Sequence, residues 1–137
     1  MKNKVKFAVV GAGHIGKRHA EMIMRENEAE LVALVDCRSQ KECEAERFDV
    51  PFFSSIEELL SSALDIDVVN ICTPNGLHAS QSLKALEHKK HVVCEKPMGL
   101  SKDNCERIIF KALEVSKQVF CVMQNRYSPP SQWIKSL

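Results

Sequence analysis

The sequence predicts a doubly wound, parallel α/β sheet, and three observations carry that expectation. Short apolar runs alternate with stretches of helical periodicity along the chain, a glycine-rich turn follows the first run directly, and an acidic residue closes the second. Strands buried on both faces read as near-continuous apolar runs, and strand–helix alternation with right-handed crossovers gives parallel pairing. The expected strand order is 3-2-1-4-5-6.

The elements follow in order. Val5 to Val10 is a compact apolar run ending on Gly11; from Ile15 onward, Ile15, Met22 and Ile23 recur at helical spacing. Leu31 to Val35 reads as a second strand, Lys41 to Phe48 as a polar helical stretch and Pro51 to Phe53 as a short third strand. Ser54 and Ser55 each precede a glutamate by three residues, Glu57 and Glu58, which offers two overlapping capping boxes to a helix over Ile56 to Ala63. Val68 to Cys72 is the fourth strand; Thr73-Pro74-Asn75-Gly76 breaks the chain before a helix running to about His88, and His91 to Cys94 is the fifth strand. After Ser101, Cys105, Ile108, Ile109, Ala112 and Leu113 form an expected apolar helix face, and Val119 to Met123 supplies a sixth strand. Ser128-Pro129-Pro130 then interrupts the pattern, and Gln132 to Leu137 reads as the first turns of a helix that simply ends. The expected organisation is one domain over 1–125 and the start of a connection over 126–137.

Composition narrows the functional classes. A length of 137 residues suits one domain and not a two-domain enzyme, and 45% apolar with 27% charged residues is ordinary for a globular chain. Nineteen basic against 18 acidic side chains give a net charge of +1, with no basic face interleaved with aromatics, so nucleic acid is not an expected partner. No signal-peptide core and no membrane-length apolar stretch is present, which leads to an expectation of a cytoplasmic protein without a membrane partner. Six cysteines occur without a CxxC pair, several inside apolar runs, and are expected to be buried reduced thiols with no metal.

The chemistry concentrates after the strands. Gly11-Ala12-Gly13-His14-Ile15-Gly16 is a GxGxxG turn between a strand and a helix: Gly11 for the tight turn, Gly13 for close approach of backbone to a pyrophosphate, Gly16 for helix–strand packing. The backbone of His14 and Ile15 lies within that turn, with the His14 imidazole free to point outward. Asp36 closes the second strand 20 residues after Gly16, where a carboxylate accepts the hydroxyls of an adenosine ribose and favours NAD. Arg38 is positioned either to neutralise Asp36, to receive the 2′-phosphate of NADP, or simply to be solvated. An S-adenosylmethionine methyltransferase also uses a glycine turn and such an acid, but the third glycine and the later Lys-Pro element favour a dinucleotide and hence a Rossmann fold. In an open parallel sheet, ligands sit beyond the carboxyl ends of the strands. The segments there are Thr73-Pro74-Asn75-Gly76-Leu77-His78, Glu95-Lys96-Pro97 and Gln124-Asn125-Arg126-Tyr127. His19 lies on the apolar face of the first helix and reads as a packing histidine.

With the GxGxxGxxH opening, TPNxxH, EKP and QNR in this order, the chain resembles the glucose-fructose oxidoreductase / inositol dehydrogenase / rhizopine-catabolism (Gfo/Idh/MocA) family. The resemblance implies NAD(P)-dependent oxidation of a sugar hydroxyl, with Lys96 reaching the reacting carbinol and Glu95 beside the nicotinamide ribose. A lysine partly desolvated at a strand end can have its pKa moved toward working pH. His78 matches the family histidine near the cofactor, with local capping or packing as the alternative. Gln124 and Arg126 match residues bordering the nicotinamide pocket, with an inter-domain structural arginine as the alternative. The family's EKP element further implies a cis Lys96–Pro97 bond. NICTPNGLHA, VVCEKPM and QNRY resemble the branch that oxidises UDP-N-acetylglucosaminuronate at its sugar 3-position. Family members are more than twice this length, so the substrate wall, further acid–base groups and an oligomer interface are expected in a C-terminal domain outside these residues. The competing reading is a module that binds the dinucleotide, or senses redox state, without turnover.

Overall fold

The structure is a computed structural model that describes residues 3–122. Strand β1 (Val5–Val10) ends in Ala8, Val9 and Val10, each essentially inaccessible, and forms the middle of a six-stranded sheet. Around it are α1 (His14–Arg25), β2 (Ala29–Val35), β3 (Phe52–Phe53), α2 (Ile56–Ser61), β4 (Val68–Ile71), α3 (His78–Glu87), β5 (His91–Cys94), α4 (Lys102–Val115) and β6 (Val119–Cys121). The strand order is 3-2-1-4-5-6 and every pairing is parallel, as the sequence predicts for a Rossmann fold.

Both sheet faces are covered, because successive strand residues point to opposite sides. Ala8 and Val10 pack in a layer with Ile56 and Leu59 of α2, Ala85 and Leu86 of α3, and Ile108 and Ala112 of α4. Val9 joins Ala20 and Ile23 of α1 in the opposite layer, with Leu34 and Phe48. Of the two serines competing to cap α2, Ser55 is used: its Oγ accepts from the Glu58 N–H at 3.1 Å, while the Glu58 carboxylate reaches back to the Ser54 N–H.

Five expectations are corrected. Residues Lys41 to Phe48 form turns ending in a single 3-10 turn over Glu46–Phe48, not a helix. Glu44 there has φ of 54°, a left-handed conformation that breaks helical continuity while letting Cys43, Ala45 and Phe48 all reach the core. The inward face of α4 is narrower than its apolar pattern: Ile108 and Ala112 are buried, whereas Ile109 and Leu113 are 50% and 72% exposed. Met22, read on the inner face of α1, is 64% exposed, and Ile23 is the residue that packs inward. Helix α2 stops at Ser61 rather than Ala63, where the hydroxyls of Ser61 and Ser62 bond backbone carbonyls of its last turn. The six cysteines are all free, yet only Cys43 and Cys94 are buried; Cys37 and Cys121 are exposed. Among the described residues no helix is long and apolar enough to cross a membrane, and no cluster of metal-ligating side chains occurs.

Candidate functional site

The chain turns sharply from β1 into α1, and the three glycines there are constrained differently. Gly11 has φ of +100°, and a Cβ on it would lie 2.6 Å from the Cys72 carbonyl oxygen; a Cβ on Gly16 would lie 1.6 Å from the Gly11 carbonyl oxygen. Both are required by the protein's own packing. Gly13 is not: its φ is −78°, and a Cβ would meet only the Arg38 guanidinium, at 3.7 Å. Gly13 is the N-cap of α1 and no side chain caps this helix end, so the first N–H groups of α1 face the open side of the turn.

Asp36, immediately after β2, closes the same space. Its Oδ2 accepts from the Ala12 N–H at 2.8 Å, and its Oδ1 accepts from the backbone N–H and Nε of Arg38 at 2.9 and 3.1 Å. Burial pushes the carboxyl up, but the Arg38 side chain, these backbone donors and the guanidinium charge outweigh it and hold the pKa at about 2. Asp36 is therefore an anion at neutral pH, with Arg38 laid across it toward Gly13.

These elements border a cavity of about 700 Å³ at the carboxyl ends of β1, β2 and β4. Of the residues read from sequence, Gly11, Gly13, His14, Ile15, Asp36, Arg38, Thr73 and Pro74 line it. Gly16 lies behind it, buried, and Asn75 is exposed outside it. The sequence reading missed the Ser54–Glu57 segment after β3 and one face of α3, Ser80, Gln81 and Lys84, which also border the cavity together with Leu77 just before that helix. Those four positions stand at i, i+3, i+4 and i+7, a helical signal that mixed polarity obscures. Lys84 pairs with Glu57 across the rim, and Thr73 donates through Oγ1 to Gln81. Burial pushes the cavity-lining Cys72 thiol far up, so it stays a neutral wall rather than a nucleophile.

The loops after β4 and β5 adjoin the cavity along the sheet edge. His78 is 1% exposed, with Nε2 at 2.6 Å from the Thr73 carbonyl oxygen and Nδ1 at 2.7 Å from the Pro97 carbonyl oxygen. Each ring nitrogen faces a loop carbonyl oxygen, and the ring ties the two loops together. The Lys96–Pro97 bond is cis. Lys96 is exposed among the described residues, where the sequence argument takes it as partly desolvated. Glu95 points to the α1 face and meets His19, Nε2 to Oε1 at 2.7 Å, and Asn70 of β4 donates to His19 Nδ1 at 3.0 Å. Gln124 and Arg126 lie outside the described residues.

The residues present fit a dinucleotide. Gly13 is open to the cavity with no internal demand for glycine, which is what close approach of a pyrophosphate to the backbone requires, and the Asp36 carboxylate stands where a ribose diol is recognised.

Comparison with known proteins agrees. Residues 5–123 match the model of the Gfo/Idh/MocA oxidoreductase family, NAD-binding Rossmann fold. D-glucoside 3-dehydrogenase of Escherichia coli is 30% identical over 96% of this chain and 38% of its own length. The WlbA dehydrogenase of Chromobacterium violaceum, solved with NADH and UDP-GlcNAcA, superposes with a TM-score of 0.92 at 30% identity, covering 99% of this chain and 40% of that one. Scyllo-inositol dehydrogenase of Lactobacillus casei, solved with NAD(H) and scyllo-inositol, gives 0.88 at 28% identity, covering 98% and 41%. The chain spans well under half the length of these proteins. It belongs to the Gfo/Idh/MocA oxidoreductase family, and residues 5–123 are that family's NAD-binding Rossmann domain.

Proposed function

We propose that this chain is the cofactor half of an enzyme that oxidises a secondary hydroxyl of a sugar, polyol or nucleotide sugar, with NAD as hydride acceptor. The observation carrying this reading is the convergence at one sheet edge of the open Gly13 turn, the anionic Asp36 and the Glu95-Lys96-Pro97 loop. When bound there, the nicotinamide supplies the hydride-accepting carbon. The α1 N-terminus and the turn hold the pyrophosphate, Asp36 takes the adenosine ribose, and Lys96 orients the substrate carbinol and assists its proton. The negative charge of Asp36 disfavours a 2′-phosphate, which makes NAD the cofactor; Arg38 lies close enough to temper that preference and leave NADP usable. Exposure of Lys96 fits a site completed by a wall beyond these residues, as do relatives more than twice as long. In this reading the wall also carries the remaining acid–base groups and the oligomer contacts of a cytoplasmic enzyme, and Gln124 and Arg126 border the nicotinamide side.

Calorimetric titration with NAD beside a sugar-dependent NADH absorbance assay tests the proposal. The chain alone should bind NAD without turnover, since positioning of the reactants supplies roughly 7–11 kcal/mol of barrier lowering and the wall that holds the sugar is absent. The full-length parent should turn over. NAD binding by a full-length protein that oxidises no sugar or polyol would instead favour a sensing module.

A further inference from the structure

The chain Asn70–His19–Glu95 is a tether that the dinucleotide reading does not use. His19 lies on the second turn of α1, the helix whose N-terminus opens on the glycine turn, and Glu95 directly precedes Lys96. Strand alternation brings them together: Val69 and Ile71 point into the α2–α4 layer, so Asn70 faces α1, and Cys94 joins the same layer, so Glu95 faces α1 too. The two paired side chains are 14% and 12% exposed, and Asn70 is 5% exposed.

The direction of the hydrogen bonds follows from the donors. The Asn70 amide donates to Nδ1, so that nitrogen is the acceptor and the ring hydrogen sits on Nε2, aimed at the Glu95 carboxylate 2.7 Å away. The chain is not a proton wire, because it ends in a carboxamide inside β4 that can neither supply nor take a proton at ordinary pH. Orientation is what it can provide. Oε1 of Glu95 is fixed to α1, while Oε2 has no hydrogen bond among the described residues. One side chain thus connects the helix of the phosphate turn to the loop carrying Lys96.

We infer that His19 is a positioning residue: it holds Glu95 so that Oε2 meets the nicotinamide ribose, and thereby selects for the nicotinamide half of the cofactor. The inference rests on the proposed dinucleotide site, and its test separates the two. NAD and ADP, which lacks both the nicotinamide and its ribose, are titrated calorimetrically into the 137-residue chain, its His19→Ala variant and its His19→Gln variant, whose amide can still donate to Glu95.

His19→Ala should weaken NAD by about tenfold, the worth of one oriented charge-assisted hydrogen bond, and leave ADP within about twofold. His19→Gln should recover most of the loss. Equal weakening of both ligands would reduce His19 to a structural role and overturn the inference, as would unchanged NAD affinity. Failure of the wild-type chain to bind NAD would overturn the dinucleotide site itself. The tether is read independently in the ligand-free wild-type chain by long-range ¹H–¹⁵N correlation of its histidines. His19 should appear as the Nε2–H tautomer, and the Nδ1–H tautomer would overturn the inference whatever the variants do.

Discussion

Gly13→Ala separates folding from ligand binding at a single atom. The added Cβ meets nothing closer than the Arg38 guanidinium at 3.7 Å, and φ of −78° is open to alanine, so no clash opposes it. Two small effects remain. Restricting the unfolded chain stabilises by about 0.4–1 kcal/mol. Alanine is a poorer N-cap than glycine, at a cost of roughly 0.5–1 kcal/mol. They offset, and urea denaturation followed by circular dichroism should find the variant within about 1 kcal/mol of wild type. NAD affinity should nevertheless fall at least about tenfold, because in the proposed site the methyl group would stand where the pyrophosphate approaches the backbone and would keep the N–H groups of the turn from reaching it. Gly16→Ala is the contrast: its Cβ would lie 1.6 Å from the Gly11 carbonyl oxygen, and no folded protein should be recovered. A stable Gly13→Ala variant binding NAD like wild type would refute the assignment of the turn. A variant destabilised by several kcal/mol would refute the claim that Gly13 answers to the ligand rather than to the protein.

Three further outcomes are expected. Asp36→Asn should cost about 2 kcal/mol at pH 6, from a carboxyl lowered from 3.8 to about 2 on folding. Because the folded pKa is the depressed one, that contribution is complete above the unfolded value and is lost as pH falls; by pH 3 the gap between wild type and variant should be roughly half as large, and a gap that stays constant would refute the charge argument. His78→Ala leaves the Thr73 and Pro97 carbonyls without their shared donor, and urea denaturation should register a loss of about 2–4 kcal/mol. Lys96→Met alters an exposed side chain, so NAD titration of the chain should be unchanged within about twofold, whereas turnover of the full-length parent should drop about 10²–10⁴-fold.

The fold was legible because the strands are buried on both faces: Val5–Val10 and Val68–Ile71 are apolar runs that periodicity finds without help. Where only one face decides, the pattern overreached. Ile109 and Leu113 continue the helical spacing of Ile108 and Ala112 yet stay exposed, and Cys43, Ala45 and Phe48 reach the core from turns that simulate a helix. The glycine turn and Asp36 were readable because their spacing is fixed by local geometry. The Glu95–His19 contact was not, since 76 residues separate the partners and the α1 spacing alone shows an inward histidine, not what it bonds. The histidine at 78 was read with cofactor binding and packing as equal alternatives; in the structure both its nitrogens face loop carbonyls.

Asp36 binds the glycine turn as well as facing the cavity, since its Oδ2 is the acceptor for the Ala12 N–H. Any attempt to re-engineer this protein for a phosphorylated ribose by exchanging Asp36 for a smaller, uncharged residue would therefore remove a structural brace along with the proposed recognition group. The donor left behind sits on a buried residue between Gly11 and Gly13, out of reach of bulk water. Loss of stability and change of preference would arise from the same pair of atoms, so variants selected for altered cofactor use should carry a compensating acceptor for that N–H, introduced at position 36 itself or from the neighbouring Cys37–Arg38 backbone.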